Sequence, residues 1–194
     1  MMLENLKEYN IVLASKSPRR QELLRGIGVE FSVMTKDVDE SYPLNMSVFD
    51  VAPYLSLKKA KAFEDVELPD NYMVITADTI VVVDDKILGK PQNAEDAHNM
   101  LALLSGKKHM VITGVTVRTK SKAKTFSVAS KVFFNILDDE EIEYYVNNYK
   151  PFDKAGSYGI QEWIGYIGVS SVEGSYFNVM GLPTQKLYQV LKCF

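Results

Sequence analysis

The sequence predicts an α/β fold, in which helices pack against a central sheet. Segments with the pattern of strands alternate with segments of helical pattern along all 194 residues. Residues 72–83, YMVITADTIVVV, are apolar on both faces and rich in β-branched side chains, which is typical of a central strand covered on both sides. The apolar content of 46% is enough for a packed interior, so we expect one domain over residues 1–194.

Composition excludes several function classes. A net charge of −3 argues against a general nucleic-acid binder. One cysteine and two histidines make disulfides, zinc cages and histidine-based triads poor hypotheses, so a bound metal would be a hard cation held by oxygen atoms. The sequence contains no run of about 20 apolar residues and no secretory signal pattern. We therefore expect a cytoplasmic protein that binds neither nucleic acid nor membranes.

Residues 12–25, VLASKSPRRQELLR, predict a strand, a tight loop and the start of a helix. Ser17 is expected to be the N-cap, with Pro18 at the first helical position, where its missing N–H is not needed. The helix should run to about Arg25, and residues 29–35 alternate like a further strand.

Three cations, Lys16, Arg19 and Arg20, crowd the start of this helix. A helix N-terminus already carries about half a positive charge and unpaired N–H groups, so cations are unfavourable there. A phosphate chain would satisfy the N–H groups and the guanidinium groups together. The alternative is that the arginines extend into water.

The stretch LASKSPRRQELL resembles the N-terminal signature of the Maf-like proteins, which are nucleoside triphosphate pyrophosphatases. The resemblance extends almost to the C-terminus. It implies the Maf/Ham1 (inosine triphosphatase-like) fold, with a mixed central sheet flanked by helices and two lobes with a cleft between them. It also implies a homodimer. Lys16 departs from the family pattern, in which a small residue is more usual.

The resemblance implies a functional role for two further residues, Glu40 and Lys59. Glu40 ends an acidic loop, residues 37–40, which would otherwise be read as solvated, and it matches an acidic family position that matters for activity. Lys59 lies on the apolar stripe of a helix predicted from a Ser47–Asp50 capping box to about Phe63. Pro53 lies inside this helix, so we expect a kink near Phe49 or a restart of the helix. Lys59 either extends to water along its stem or reaches an anion, and it matches the functional lysine of the family.

Asp78 interrupts the apolar strand at 72–83. A buried, unpaired carboxylate costs several kcal/mol, so this residue must form a salt bridge, lie at an opening or take part in chemistry. Asp78-Thr79 matches the central motif of the family, whose aspartate is assigned as the base that activates water. A desolvated carboxylate is suited to that role.

Gly89-Lys90-Pro91 follows a short strand and presents Lys90 from a stiff loop, but it lacks the spacing of a Walker loop. The family has the same GKP about a dozen residues after its aspartate. We then expect a helix capped by Asn93, strands at about 109–119 and 126–136, and a helix opened by an Asp138–Glu141 capping pair.

Residues 151–161 contain two glycines, small residues and one aromatic, so the backbone can fold closely around a flat group or simply reverse direction. DKAGSYGIQ, with Lys154 and Gln161, matches the loop of the Maf branch that acts on dTTP and UTP. The amide of Gln161 complements the N3–H and O4 edge of uracil or thymine. Strands are expected near 166–172 and 176–179, followed by a last helix.

Together these residues and the resemblance predict an enzyme that hydrolyses dTTP, UTP or modified pyrimidine triphosphates to the monophosphate and pyrophosphate. The attack at the α-phosphorus is implied by the family. Ser15, Arg19, Arg20 and Lys90, with Lys154 as a further cation, would bind the triphosphate. Glu40 and Asp78 would hold Mg²⁺, with Mn²⁺ as the alternative, while Lys59 neutralises charge and Thr79 and Gln161 orient the base. The rival hypotheses are a nucleotide-binding regulator of cell division without turnover and an inosine triphosphate-type pyrophosphatase.

Overall fold

The computed structural model describes residues 3–64 and 66–194. Its strands are β1 Asn10–Leu13, β2 Ser32–Val33, β3 Tyr72–Val83, β4 Lys86–Leu88, β5 Lys108–Arg118, β6 Ala123–Phe134 and β7 Val169–Glu173. Its α-helices are α1 Pro18–Gly26, α2 Val48–Lys61, α3 Ala94–Leu104, α4 Asp139–Tyr149, α5 Trp163–Gly168, α6 Tyr176–Met180 and α7 Thr184–Leu191. Two short 3₁₀ turns cover Glu4–Leu6 and Ala155–Ser157.

Among the described residues, seven strands form one sheet, in the order β2-β1-β3-β5-β6-β7 with β4 paired to β3. β1 runs parallel to both β2 and β3, whereas the β3–β4 and β6–β7 pairs are antiparallel. The sheet is therefore mixed, and the predicted α/β class with a mixed central sheet and helices is confirmed. No helix in the described part of the chain combines the length and the apolar character needed to cross a membrane.

The chain divides into two compact units, which are described separately. Unit 1 comprises residues 1–78, 113–128 and 181–194, and unit 2 comprises residues 79–112 and 129–180. In unit 1, Val12 and Val74 of the parallel strands pack with Phe63. In unit 2, side chains of α3 and α4 pack on the distal half of β3, with Leu101, Tyr145 and Val81 among the buried residues. The expectation of one domain over residues 1–194 stays a prediction.

Strand β3 has the bounds that its sequence pattern predicts, and its apolar side chains are buried on both faces. Within unit 1, helix α2 is fixed against the sheet at two points. The Thr76 hydroxyl donates to the carbonyl of Ser56 at 2.6 Å, and a Cβ on Gly114 would lie 2.3 Å from the backbone of Ala52. This close approach, which needs glycine, sets the position of Lys59 on the same helix.

Several local predictions are wrong. The strand expected at 29–35 is reduced to Ser32–Val33. The Ser47–Asp50 pair forms no capping box: the Ser47 hydroxyl accepts from the N–H of Phe49 at 3.4 Å, and α2 continues through Pro53 without a restart. Pro53 lies in the second turn of α2, so its missing N–H removes one backbone hydrogen bond near the start of the helix.

The two strands expected near the C-terminus are also partly wrong. Residues 166–168 belong to helix α5, and only the segment from Val169 forms a strand. Residues 176–179 lie in helix α6, because the Ser175 hydroxyl accepts from the N–H of Asn178 at 3.2 Å and caps that turn. The cap outweighs the strand preference of the aromatic residues that follow it.

Candidate active site

The loop between β1 and α1 is shaped by Ser15. Its buried hydroxyl accepts from the N–H of Ser17 at 3.2 Å. Ser17 is the N-cap residue and Pro18 occupies the first turn of α1, as predicted, but the Ser17 side chain makes no cap hydrogen bond. The N-terminus of α1 therefore has no side-chain cap from Ser17, and it carries Arg19 and Arg20 in its first turn, where cations are unfavourable.

Arg20 is anchored to the main chain of unit 1 at two places. Its Nε donates to the carbonyl of Gly181 and its Nη1 donates to the carbonyl of Ala77, both at 2.8 Å. Burial lowers the pKa of the Arg20 guanidinium, while the negative charges of Asp78 and Glu40 act in the opposite direction. Arg20 thus holds the backbone directly before Asp78, and half-buried Arg19 lies beside it on the first turn of α1.

Asp78, Lys59 and Glu40 form one cluster in unit 1. The Lys59 ammonium lies 2.5 Å from Oδ1 of Asp78 and 2.8 Å from Oε1 of Glu40. The side chains of Asp78 and Lys59 are 11% and 18% exposed, whereas that of Glu40 is 48% exposed. Asp78 therefore has the ion-pair partner that its position in an apolar strand requires. The three residues come from the middle of the sheet, a helix and the acidic loop.

Glu40 and Asp78 are the residues of this cluster that could hold a hard divalent cation. Two carboxylate oxygens that both lie within 2.8 Å of one nitrogen are near neighbours, and oxygen is the donor that Mg²⁺ prefers. In the part of the chain that the structure describes, no group of three or more His, Cys, Asp or Glu side chains could hold a metal alone. A cation here would need further oxygen ligands from another source, such as a phosphate or water.

In unit 2, the Gly89-Lys90 loop contacts the loop at 151–161. The carbonyl of Gly89 accepts from the N–H of Gly156 at 3.0 Å, and Lys90 is exposed. Gly156 has φ +68°, and a Cβ there would lie 2.9 Å from Val81 of β3. Glycine at 156 therefore permits both the left-handed turn and the close approach of this loop to the strand.

The side chain of Lys154 is buried and is held by two carboxylates. Its ammonium lies 2.8 Å from Asp153 and 3.2 Å from Oε1 of Glu162. The other oxygen of Glu162 accepts from the Tyr145 hydroxyl, which itself accepts from the N–H of Gly159 at 3.0 Å. Glu162 and Tyr145 were missed by the sequence reasoning. The signal that could have found Glu162 is an acid directly between the loop and the apolar segment WIGYIG.

Gln161 presents a buried hydrogen-bond acceptor. Its Oε1 is buried and makes no hydrogen bond within the described residues, 3–64 and 66–194. Such a group costs about 1–3 kcal/mol unless another molecule supplies a donor. Thr79, which follows Asp78 on β3, is half-buried.

The predicted site residues thus form two groups. Unit 1 contains Ser15, Arg19, Arg20, Glu40, Lys59 and Asp78, of which Glu40, Lys59 and Asp78 are in direct contact. Unit 2 contains Thr79, Lys90, Lys154 and Gln161, with the loops of Lys90 and Lys154 joined by the Gly156–Gly89 hydrogen bond. The roles of all ten residues stay predictions.

Comparison with known proteins identifies relatives along the whole chain. Residues 10–194 match the family model described as Maf-like protein. A dTTP/UTP pyrophosphatase of Parabacteroides distasonis is 55% identical over 100% of both chains, and one of Bacteroides thetaiotaomicron is 54% identical over 98% of this chain and 99% of its own. A third, of Porphyromonas gingivalis strain ATCC 33277, is 51% identical over 100% of this chain and 98% of its own.

Solved structures give more distant matches. A HAM1 protein from Coxiella burnetii is 15% identical over 96% of this chain and 100% of its own, with a TM-score of 0.49. The Ham1 protein of Staphylococcus aureus is 16% identical over 64% of this chain and 71% of its own, with a TM-score of 0.46. The family model and the three relatives together show that the chain belongs to the Maf-like protein family.

Proposed function

We propose that this protein is a nucleoside triphosphate pyrophosphatase that hydrolyses dTTP and UTP, and modified pyrimidine triphosphates of the same shape, to the monophosphate and pyrophosphate. The observation that carries the proposal is the contact of Lys59 with both Glu40 and Asp78, beside the anchored cation Arg20. Relatives named dTTP/UTP pyrophosphatase support the choice of substrate.

In this proposal Asp78 is the general base. Its carboxylate takes a proton from a water molecule, the water oxygen bonds to the α-phosphorus, and the bond from that phosphorus to the bridging oxygen breaks, so that pyrophosphate leaves. Ser15, Arg19, Arg20 and Lys90 bind the triphosphate, and Lys59 offsets the negative charge that grows on the leaving group. Lys154, already paired with two carboxylates, stays a prediction as a further phosphate contact.

Glu40, with Asp78 as the second ligand, would hold Mg²⁺ or Mn²⁺. A bound divalent cation would withdraw charge from the phosphate oxygens and orient the triphosphate. The exposure of Glu40 and its shared contact with Lys59 support this assignment. If Glu40→Gln has the same Mg²⁺ dependence of turnover as the parent, the assignment of Glu40 as a ligand is wrong.

Base recognition is assigned to Gln161 and Thr79. The N3–H of uracil or thymine would donate to the buried Oε1 of Gln161, and O4 would accept from its amide. A substrate that supplies this donor satisfies the buried acceptor, which favours uracil and thymine over cytosine, whose N3 is itself an acceptor.

The test incubates the pure protein and Mg²⁺ with a panel of triphosphates, including dTTP, UTP, dCTP, dGTP and ITP, and identifies the products by chromatography. The proposal predicts dTMP or UMP with pyrophosphate. Release of orthophosphate contradicts the bond assignment, a preference for ITP supports the inosine triphosphate-type alternative, and binding without turnover supports a regulator. We also propose that the protein forms a homodimer, which light scattering tests, and that it is cytoplasmic.

A further inference from the structure

We propose that Glu162 is a positioning residue for pyrimidine selectivity, because it fixes the loop that carries Gln161. This inference rests on the proposed function and deepens it. Glu162 is the residue after Gln161, and its side chain is 20% exposed. It does not contact the base in this proposal but acts through its neighbours.

The carboxylate of Glu162 ties three points of the loop together. Oε1 pairs with the buried Lys154 at 3.2 Å, which fixes the beginning of the loop. Oε2 accepts from the Tyr145 hydroxyl, which holds the N–H of Gly159 at 3.0 Å. Backbone bonds complete the turn, since the N–H of Glu162 donates to the carbonyl of Gly159 at 2.9 Å.

Packing strengthens this arrangement. A Cβ on Gly159 would lie 2.8 Å from the carboxyl carbon of Glu162, so the carboxylate lies directly against the Gly159 backbone. Tyr145 is fully buried in the core of unit 2, and its ring stacks on Tyr149 with the ring centroids 5.1 Å apart. The hydroxyl that joins Glu162 to Gly159 is therefore held by a rigid side chain.

The consequence for selectivity follows from the chemistry of the amide. Cytosine presents an acceptor at N3 and a donor at N4, the reverse of thymine, so it would be accepted by the Gln161 amide only after that amide rotates by half a turn. A loop fixed at Lys154, Gly159 and Glu162 holds the backbone of Gln161 in one place, so a cytosine that meets the unrotated amide cannot push it away and leaves an unpaired buried group. Loosening the loop should therefore relax the discrimination between dTTP and dCTP.

The test compares kcat and KM for dTTP and dCTP in the parent and in Glu162→Gln. Glutamine has one acceptor oxygen where the carboxylate has two, so either Lys154 or Tyr145 loses its bond to residue 162. We expect the ratio of kcat/KM for dTTP over dCTP to fall at least about tenfold, mainly through KM for dTTP, with kcat for dTTP changing by less than about threefold. Tyr145→Phe, which removes one hydroxyl and keeps the ring, should lower the ratio in the same direction and serves if Glu162→Gln does not fold.

Matched controls are Glu143→Gln and Tyr144→Phe on α4, whose side chains are exposed. Both should retain the parental ratio. A folded Glu162→Gln or Tyr145→Phe with the parental ratio overturns the inference, as does an equal loss of kcat for both nucleotides, which would indicate general disruption. If the parent does not hydrolyse dTTP or UTP, the proposed function fails and the selectivity role falls with it. That outcome is separate, because it is read on the parent alone.

Discussion

Lys59 and Lys154 make similar direct contacts, but the carboxylates that they contact come from different parts of the fold. Each is a largely buried lysine whose ammonium contacts two carboxylates. The partners of Lys59 come from the acidic loop and from the middle of β3, close to the guanidinium of Arg20. The partners of Lys154 come from its own loop and from the residue directly after that loop, Glu162, which also accepts from a core tyrosine.

The difference shows that a buried lysine between two acids does not by itself indicate catalysis. In the Lys154 cluster, the second oxygen of Glu162 is taken by Tyr145, and the result is a fixed loop. In the Lys59 cluster, Asp78 lies in an apolar strand, close to cations from two helices, Lys59 of α2 and Arg20 of α1. We assign chemistry to the Lys59 cluster and positioning to the Lys154 cluster. The predictions test the Lys59 cluster first and then the packing around the 151–161 loop.

The largest effect is expected for Lys59→Met. Removing this cation leaves Glu40 and Asp78 close together without their shared partner, which should lower the free energy of unfolding by about 3–5 kcal/mol and abolish turnover. Chemical unfolding and steady-state kinetics measure the two effects. Lys58→Met is the matched control on the same helix, because Lys58 pairs with the exposed Asp39 at 3.0 Å, and its loss should be less than about 1 kcal/mol. Equal losses in the two variants would contradict the account.

The second largest effect is a dependence of stability on pH that arises from His109 in unit 2. His109 lies against Tyr158 of the 151–161 loop. Its Nε2 is 2.7 Å from the Tyr158 hydroxyl, its ring packs edge-on to Phe134 and Tyr158, and burial lowers the pKa of His109 from 6.5 to about 4. As pH falls below 6.5 the unfolded chain takes up this proton before the folded one. The free energy of unfolding should therefore fall by about 3 kcal/mol between pH 6.5 and 4, and the contribution should change no further below that.

His109→Gln isolates this contribution, because glutamine can keep a bond to Tyr158 and does not titrate. The difference in free energy of unfolding between parent and variant should shrink by about 3 kcal/mol from pH 7 to pH 4, since every other titrating group cancels. Urea unfolding at a series of pH values measures it. A difference that is constant with pH would show that His109 is not the buried neutral group described above.

The smallest effect is expected for Gly156→Ala in the same loop. The left-handed φ of +68° and the contact of the new Cβ with Val81 should together cost about 2 kcal/mol of stability. Gly26→Ala is the control, because nothing lies within 4 Å of its Cβ position, and it should change stability by less than about 0.5 kcal/mol. Thermal unfolding compares them, and similar melting temperatures for the two variants would contradict the close packing of the loop on β3.

Much of the fold could be predicted because its signals are local. β3 is recognised from its apolar run, and α3 and α4 from their caps, where Asn93 accepts from the N–H of Asp96 and Asp138 and Glu141 form a reciprocal capping box. The failures are short elements. Helix α6 has five residues, and one capping serine decides it against the strand preference of its aromatic residues.

The candidate site also has a part that could be predicted from the sequence and a part that could not. Asp78 and Lys59 could be singled out because a charge in an apolar pattern is visible in the sequence. Their contact, the anchoring of Arg20 by Ala77 and Gly181, and the role of Tyr145 could not be predicted. These interactions join residues from distant parts of the chain, and no spacing or periodicity encodes them.

The central claim is that the Lys59 cluster carries the chemistry and the Lys154 cluster the positioning, and kinetics of Asp78→Asn beside Glu162→Gln on dTTP tests it most directly. Asp78→Asn keeps the shape of the side chain and removes the base, so kcat should fall by about 10²–10⁴ with a smaller change in KM. Glu162→Gln should retain kcat within about threefold and lose selectivity. A folded Asp78→Asn that hydrolyses dTTP at the parental rate would contradict the account.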